Sequence, residues 1–190
     1  NDLERHLAYN FTNLQEASEN PNANILALSD VRGTYTRYHV FSPEQVTSTV
    51  KGELSTGSPS TLSDFVAWGK RNYPATNYAL ILDDHGQGHT GVAFDQDAPN
   101  DDKECGGKSC LQLKELRTAL LETGGTDVVL MSACLMATIE SGYELRGLAD
   151  FYVSSEQLLW LPPSHLRYIS GGGKGRSKET LGPYPRLQML

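Results

Sequence analysis

The chain has 190 residues, 38% hydrophobic and 21% charged, with a net charge of −7 from 16 basic and 23 acidic residues. That balance describes a globular domain able to bury one core. It excludes a basic stripe of the kind that grips nucleic acid, and no apolar run approaches the roughly 18 residues needed to span a bilayer.

In chain order, Leu3, Leu7, Phe11 and Leu14 fall on one face of a helix over 3–17. Residues 19–24 are turn-like. Ile25–Leu28 and Tyr35–Phe41 read as neighbouring strands with a turn at Arg32-Gly33. Ser42-Pro43-Glu44 has the N-cap and first-turn chemistry of a short helix. Residues 52–60 form a loop, and Thr61 opens a helix to about Asn72. Tyr78–Leu82 is a continuous apolar run, the pattern of a strand buried on both faces. Val92–Phe94 is a short strand and 95–110 a long polar loop. Leu111–Glu122 is a helix stopped by Gly124-Gly125. Val128–Met131 is a second buried strand; a helix follows Cys134 to about Arg146, and Phe151–Ser154 is a further strand. Beyond Trp160 come Pro162-Pro163, three glycines and a polar tail with little expected regular structure, whose basic cluster Lys174, Arg176 and Lys178 reads as solvated.

Alternation of strands and helices predicts an α/β fold with a mostly parallel central sheet. Ligands of such sheets bind beyond the carboxyl ends of the strands. His85 and Cys134 both stand just past the end of a predicted strand. Adjacent parallel strands joined by a helix would bring them together. A cysteine acts as thiolate, whose pKa near 8.5 falls beside a helix N-terminus or an imidazolium. Cys134, between strand and helix, is placed to meet the positive end of a helix dipole. Gly86 lets the backbone beside His85 approach a substrate, and the N–H groups of Gly86 and Cys134 are candidate oxyanion donors. Such a pair suits acyl transfer from an amide through a thioester. His6, His39, His89 and His165 lack comparable context and read as surface or packing residues.

Three rival readings compete with this one. The stretch Gly86-Gln87-Gly88-His89-Thr90-Gly91 matches a dinucleotide fingerprint, but Val-Ala-Phe-Asp comes next where a helix should open. Residues 171–177 have the wrong order for a phosphate loop. A catalytically silent binding module, keeping the fold without the chemistry, is the third. Cys105 and Cys110 could pair in an oxidising compartment and leave Cys134 as the odd thiol, or all three could be reduced; the spacing argues against zinc.

The segments Leu80–Gly86 and Val128–Cys134, strand-His-Gly followed by strand-Ala-Cys, resemble the clan that contains caspases, legumains, gingipains and clostripain. Residues 133–157, with Cys-Leu-Met, a Tyr-Glu-Leu helix and a strand ending near Ser-Glu, narrow the resemblance to the clostripain family, peptidase family C11. Residues 1–17 and 78–88 are similar to that family too. The resemblance implies a caspase-like three-layer sandwich, with a peptidase core over 1–160 and an irregular tail over 161–190. It also implies endopeptidase activity on peptide or protein substrates after Arg or Lys, with His85 as base and Cys134 as nucleophile. Relatives carry Asp two residues before the cysteine to bind the basic P1 side chain; here that position is Ser132. Serine has no carboxylate, so the basic P1 preference holds only if another acid supplies the charge. Ser132, Asp84 and Glu156 are the expected pocket residues. The family's apolar strand before Asn-Asp-Leu-Glu is not in this chain, so the expectation is either a sheet one strand short or a chain that is a fragment. The resemblance further suggests internal activating cleavage, expected at Lys103 or Lys108 in the 95–110 loop. No cofactor is needed for the chemistry, though Ca2+ on Asp95, Asp97, Asp101 and Asp102 would suit hard oxygen ligands. A secreted or envelope location in a bacterium is what the family suggests; oligomeric state is not legible.

Overall fold

A computed structural model describes residues 3, 6–98, 105, 106, 108–159 and 188–189. Two compact units divide the chain, residues 1–52 with 160–184, and residues 53–159 with 185–190.

The first unit holds helix α1 (Leu7–Ala17) and strands β1 (Ile25–Ser29), β2 (Thr36–Phe41) and β3 (Val46–Gly52) in one antiparallel meander. Gly33, at φ +73°, makes the β1–β2 turn. The expected helix at Ser42-Pro43-Glu44 is a correction: these residues make a tight turn, Ser42 N–H donating to the Gln45 carbonyl at 2.9 Å. The adjoining Val-Thr-Ser-Thr-Val run is mostly β-branched and suits a strand. His39 is buried in mid-sheet, its ring nitrogens 2.8 Å from Ser29 Oγ and from Ser48 Oγ. Phe11 meets it edge-on from α1.

The second unit holds helices α2 (Pro59–Asn72), α3 (Leu113–Thr123) and α4 (Ile139–Leu145), and strands β4 (Ala79–Asp83), β5 (Val92–Asp95), β6 (Ser109–Leu111), β7 (Thr126–Ser132) and β8 (Ala149–Ser154). Strand β7 runs parallel to β4 on one side and to β8 on the other. A two-residue strand β9 (Gln188–Met189) pairs antiparallel with β8; the remainder of the predicted tail lies outside the described residues. The α/β class and mostly parallel central sheet are therefore as expected. β4 is less enclosed than its apolar run implies, since Leu80 is buried and Ala79 and Asp83 are exposed.

Helix α3 shows why such a segment folds where it does. Gln112 and Glu115 form a capping box at its start, and Gly124, at φ +76°, ends it in the left-handed conformation. Leu113, Leu116, Ala119 and Leu120 lie on one face and are buried with Leu80, Val129, Met131 and Tyr152. Lys70 of α2 caps the far end, its Nζ donating to the Thr123 carbonyl at 2.9 Å and to that of Gly125. β5 and β6 pair antiparallel, placing a strand inside the segment read as loop. Cys105 and Cys110, both buried, are joined in a disulfide there.

Candidate active site

β4 and β7 pair in a register that puts Asp83 opposite Ser132. His85 and Cys134 each stand two residues beyond that pair, so parallel pairing delivers both to one level at one sheet edge. The two loops touch. A Cβ added to Gly86 would lie 2.9 Å from Met136 Cγ, 3.0 Å from Ala133 Cβ and closer still to the Cys134 carbonyl oxygen. Glycine is thus required next to His85 because the backbone of Cys134 passes where a side chain would be.

The other glycines of that stretch have equally local reasons. Gly88 sits at φ +60° in a short 3-10 turn, Gly88–Thr90. An added Cβ on Gly91 would come 2.7 Å from the Leu111 carbonyl oxygen. β5 begins directly after the last glycine, so no helix opens on the fingerprint, in line with its rejection as a dinucleotide motif.

Cys134 does not stand at a helix N-terminus, which corrects the sequence expectation. α4 starts at Ile139, where Thr138 caps it by accepting from Ser141 N–H. Residues 134–138 instead form an irregular turn. Leu135 takes the left-handed conformation, φ +61°, which a bulky residue adopts only under constraint. The constraint is visible: buried Tyr152 donates from its hydroxyl to the Met136 carbonyl at 2.7 Å. Burial raises the Tyr152 hydroxyl above its usual range, with hydrogen bonds to Ser154 and Ser141 opposing. The segment after β8 folds back along this turn. Leu135 N–H donates to the Gln157 carbonyl at 3.2 Å, and Ala137 N–H to that of Ser155 at 3.0 Å. Leu159 N–H then reaches Cys134 Sγ at 3.3 Å. The sulfur's surroundings therefore include backbone from residues 155–159, a feature no local sequence signal announces.

Ser132 is only 1% exposed, and its hydroxyl donates to Asp83 Oδ1 at 2.6 Å. No local sequence signal marks Asp83; only the register of the two apolar runs brings it opposite Ser132. Asp84 is half-buried in the bend between Asp83 and His85, and Glu156 is exposed on the 155–159 segment. Lys108 lies within the disulfide ring, while Lys103, Asp101 and Asp102 lie outside the described residues. Buried Asp95 accepts from Thr56 N–H and Asp97 N–H, each at 3.1 Å. Burial raises its carboxyl above the usual range, and these N–H groups oppose that. Its oxygens thus already pin a loop. Among the described residues no helix is long and apolar enough to cross a membrane.

Residues 1–164 match the profile of the clostripain family, peptidase C11. Clostripain of Hathewaya histolytica is 32% identical, the alignment covering 73% of this chain and 30% of that protein. Two solved structures share the fold over 84% of this chain and 46% of theirs. One is a secreted C11 cysteine protease of Bacteroides thetaiotaomicron in complex with an irreversible peptide inhibitor, at 22% identity and TM-score 0.67. The other is an inactive zymogen C11 protease of Parabacteroides distasonis, at 24% identity and TM-score 0.63. The chain thus spans less than a third of the length of that curated relative and under half of each solved chain.

Proposed function

The chain belongs to the clostripain family, and on that basis we propose that it is the core of a cysteine endopeptidase cutting protein or peptide substrates after Arg or Lys. The observation that carries the reading is the shared register: Asp83 opposite Ser132, with His85 and Cys134 each two residues further on. In the proposed reaction the Cys134 thiolate attacks the scissile carbonyl carbon. The oxyanion is held by the N–H groups of Gly86 and Cys134. Collapse expels the amine, which takes a proton from His85, and leaves a thioester on Cys134. Water, losing a proton to His85, then attacks the thioester and regenerates the thiolate.

Asp83 supports basic P1 selection where Ser132 has no charge of its own. Its carboxylate is tied to Ser132 Oγ at 2.6 Å, and the residue is exposed to solvent. Two residues of chain reach at most about 7 Å, so the acid sits on the length scale of a Lys or Arg stem from the reacting carbonyl. Asp84 and Glu156 are proposed as further walls of the pocket. Internal cleavage is proposed at Lys103, with Lys108 second. A secreted setting is proposed as well, favoured by the Cys105–Cys110 disulfide, because such bonds persist where the surroundings are oxidising. The chemistry runs without a cofactor. For calcium, the engagement of Asp95 by two backbone N–H groups favours a loop-pinning role.

A P1-scanned peptide library tests the reading. Hydrolysis after Arg and Lys is expected, falling below about one-thousandth in Cys134→Ala. In Asp83→Asn the preference for Arg and Lys over neutral P1 residues should shrink by about 10- to 100-fold, the worth of one charge-assisted bond. Hydrolysis untouched by Cys134→Ala would refute the dyad. Undiminished selectivity in Asp83→Asn would remove Asp83 from the pocket.

A further inference from the structure

Two leucines stand open to solvent beside Cys134. Leu135 follows it directly and is 39% exposed, and Leu158 is 54% exposed. They lie on neighbouring segments that run in opposite directions, tied by Leu135 N–H to the Gln157 carbonyl and Ala137 N–H to that of Ser155. The same register brings Leu158 level with Cys134. The nitrogen of Leu159 agrees with this, standing 3.3 Å from Cys134 Sγ. Two covalent bonds join that nitrogen to Leu158 Cα, so this Cα lies within about 6 Å of the sulfur. A single exposed leucine is ordinary. A pair flanking the sulfur keeps apolar surface in water where a substrate would lie, and covering that surface is favourable in proportion to its area.

The sheet order decides which part of a substrate would cover it. β7 stands between β4 and β8. His85 follows β4, and a leaving amine must lie on that side to take its proton. The acyl half then extends the other way, over the segment that follows β8. With the P1 side chain turned back toward Asp83 and Ser132, the residue before it, P2, is the one that meets Leu158. We propose that Leu135 and Leu158 form an apolar S2 subsite, so that preferred substrates carry a bulky apolar residue immediately before the basic P1 residue. This subsite presupposes Cys134 as the nucleophile and deepens that reading by naming a two-residue unit, apolar then basic. Because Leu158 is exposed, replacing it leaves the core intact.

The experiment compares alkylation of Cys134 by acetyl-Leu-Arg and acetyl-Ser-Arg chloromethyl ketones, with iodoacetamide as the reference reagent. Cys105 and Cys110 are disulfide-bonded and Cys134 is the free cysteine, so the added mass reports on one sulfur. Alkylation needs no turnover, which separates the subsite from hydrolysis. The Leu reagent should label about tenfold faster than the Ser reagent, the order expected for an apolar side chain partly withdrawn from water. In Leu158→Ser that ratio should fall to about threefold or less. In Leu158→Glu an acetyl-Lys-Arg reagent should overtake the Leu reagent, since the new carboxylate attracts a cation at P2. Each ratio is taken within one chain, so a general loss of reactivity cancels. Equal rates for the Leu and Ser reagents in the unaltered chain, or an unchanged ratio in Leu158→Ser, would overturn the proposal. Labelling by iodoacetamide but by neither Arg reagent would instead overturn the basic-P1 peptidase reading, and the subsite with it.

Discussion

Gly86 is where the site is least forgiving. An added Cβ meets backbone on one side and the Met136 side chain on the other; a carbonyl cannot swing away as a flexible side chain can. Gly86→Ala should therefore lose about 1–3 kcal/mol of stability by overpacking. On the proposed reading, its hydrolysis should fall further than stability explains, because the turn at Cys134 is what must shift. Denaturant midpoints beside kcat/KM for the same variant check this, and a variant of normal stability and activity would contradict the close approach. At this scale His85 and Cys134 were legible from sequence, since each ends an apolar run beside small residues. Asp83 was not. Its relevance comes from Ser132, 49 positions away, and only strand pairing brings the hydroxyl to 2.6 Å.

The β1–β2–β3 meander carries a titration at its centre. Burial, with Arg37 adding to it, lowers His39 below its ordinary pKa of 6.5. The neutral ring suits its place, one nitrogen beside Ser29 and the other beside Ser48. The unfolded chain takes up this proton near 6.5 while the folded one resists it until lower pH. Between those values the unfolded state binds more protons, so stability is fully present above about pH 6.5 and declines as pH falls through that window. The slope from one such site cannot exceed about 1.4 kcal/mol per pH unit. Urea unfolding at about pH 7.5, 6.5 and 5.5 should show the decline, and His39→Gln should flatten it; an equal slope in both proteins would place the titration elsewhere. Elements with strong periodicity, α3 above all, keep close to the sequence pattern. Two expectations failed for reasons local to each. Ser42-Pro43-Glu44 has helix-start chemistry, but the β-branched run after it pairs with β2. Cys134-Leu-Met-Ala is helix-forming by propensity, but Thr138 caps α4 and Tyr152 holds Met136 in an open turn.

Over the whole chain, the disulfide distinguishes the two proposed processing sites. Cleavage after Lys108 breaks the chain inside the ring closed by Cys105 and Cys110, so the fragments stay covalently joined; Lys103 lies outside that ring. Processing at Lys103 should therefore give two bands on a denaturing gel without reductant. Cleavage at Lys108 would give them only after reduction. Cys134→Ala should stay intact if cleavage is by the chain itself, and mass spectrometry showing only intact chain in an active preparation would end the processing proposal.

Local sequence was enough for the α/β order of elements, the family, and the two residues at the strand ends. Those depend on hydrophobic period, capping residues and short motifs, all of which act over a few neighbouring positions. It took the folded chain to place Asp83 against Ser132 and the Leu159 N–H against the sulfur, and to keep the turn at Cys134 from being a helix start. Each of these is a hydrogen bond or constraint between residues far apart in the chain. Its existence depends on which strands pair and in what register, and no single segment carries that information.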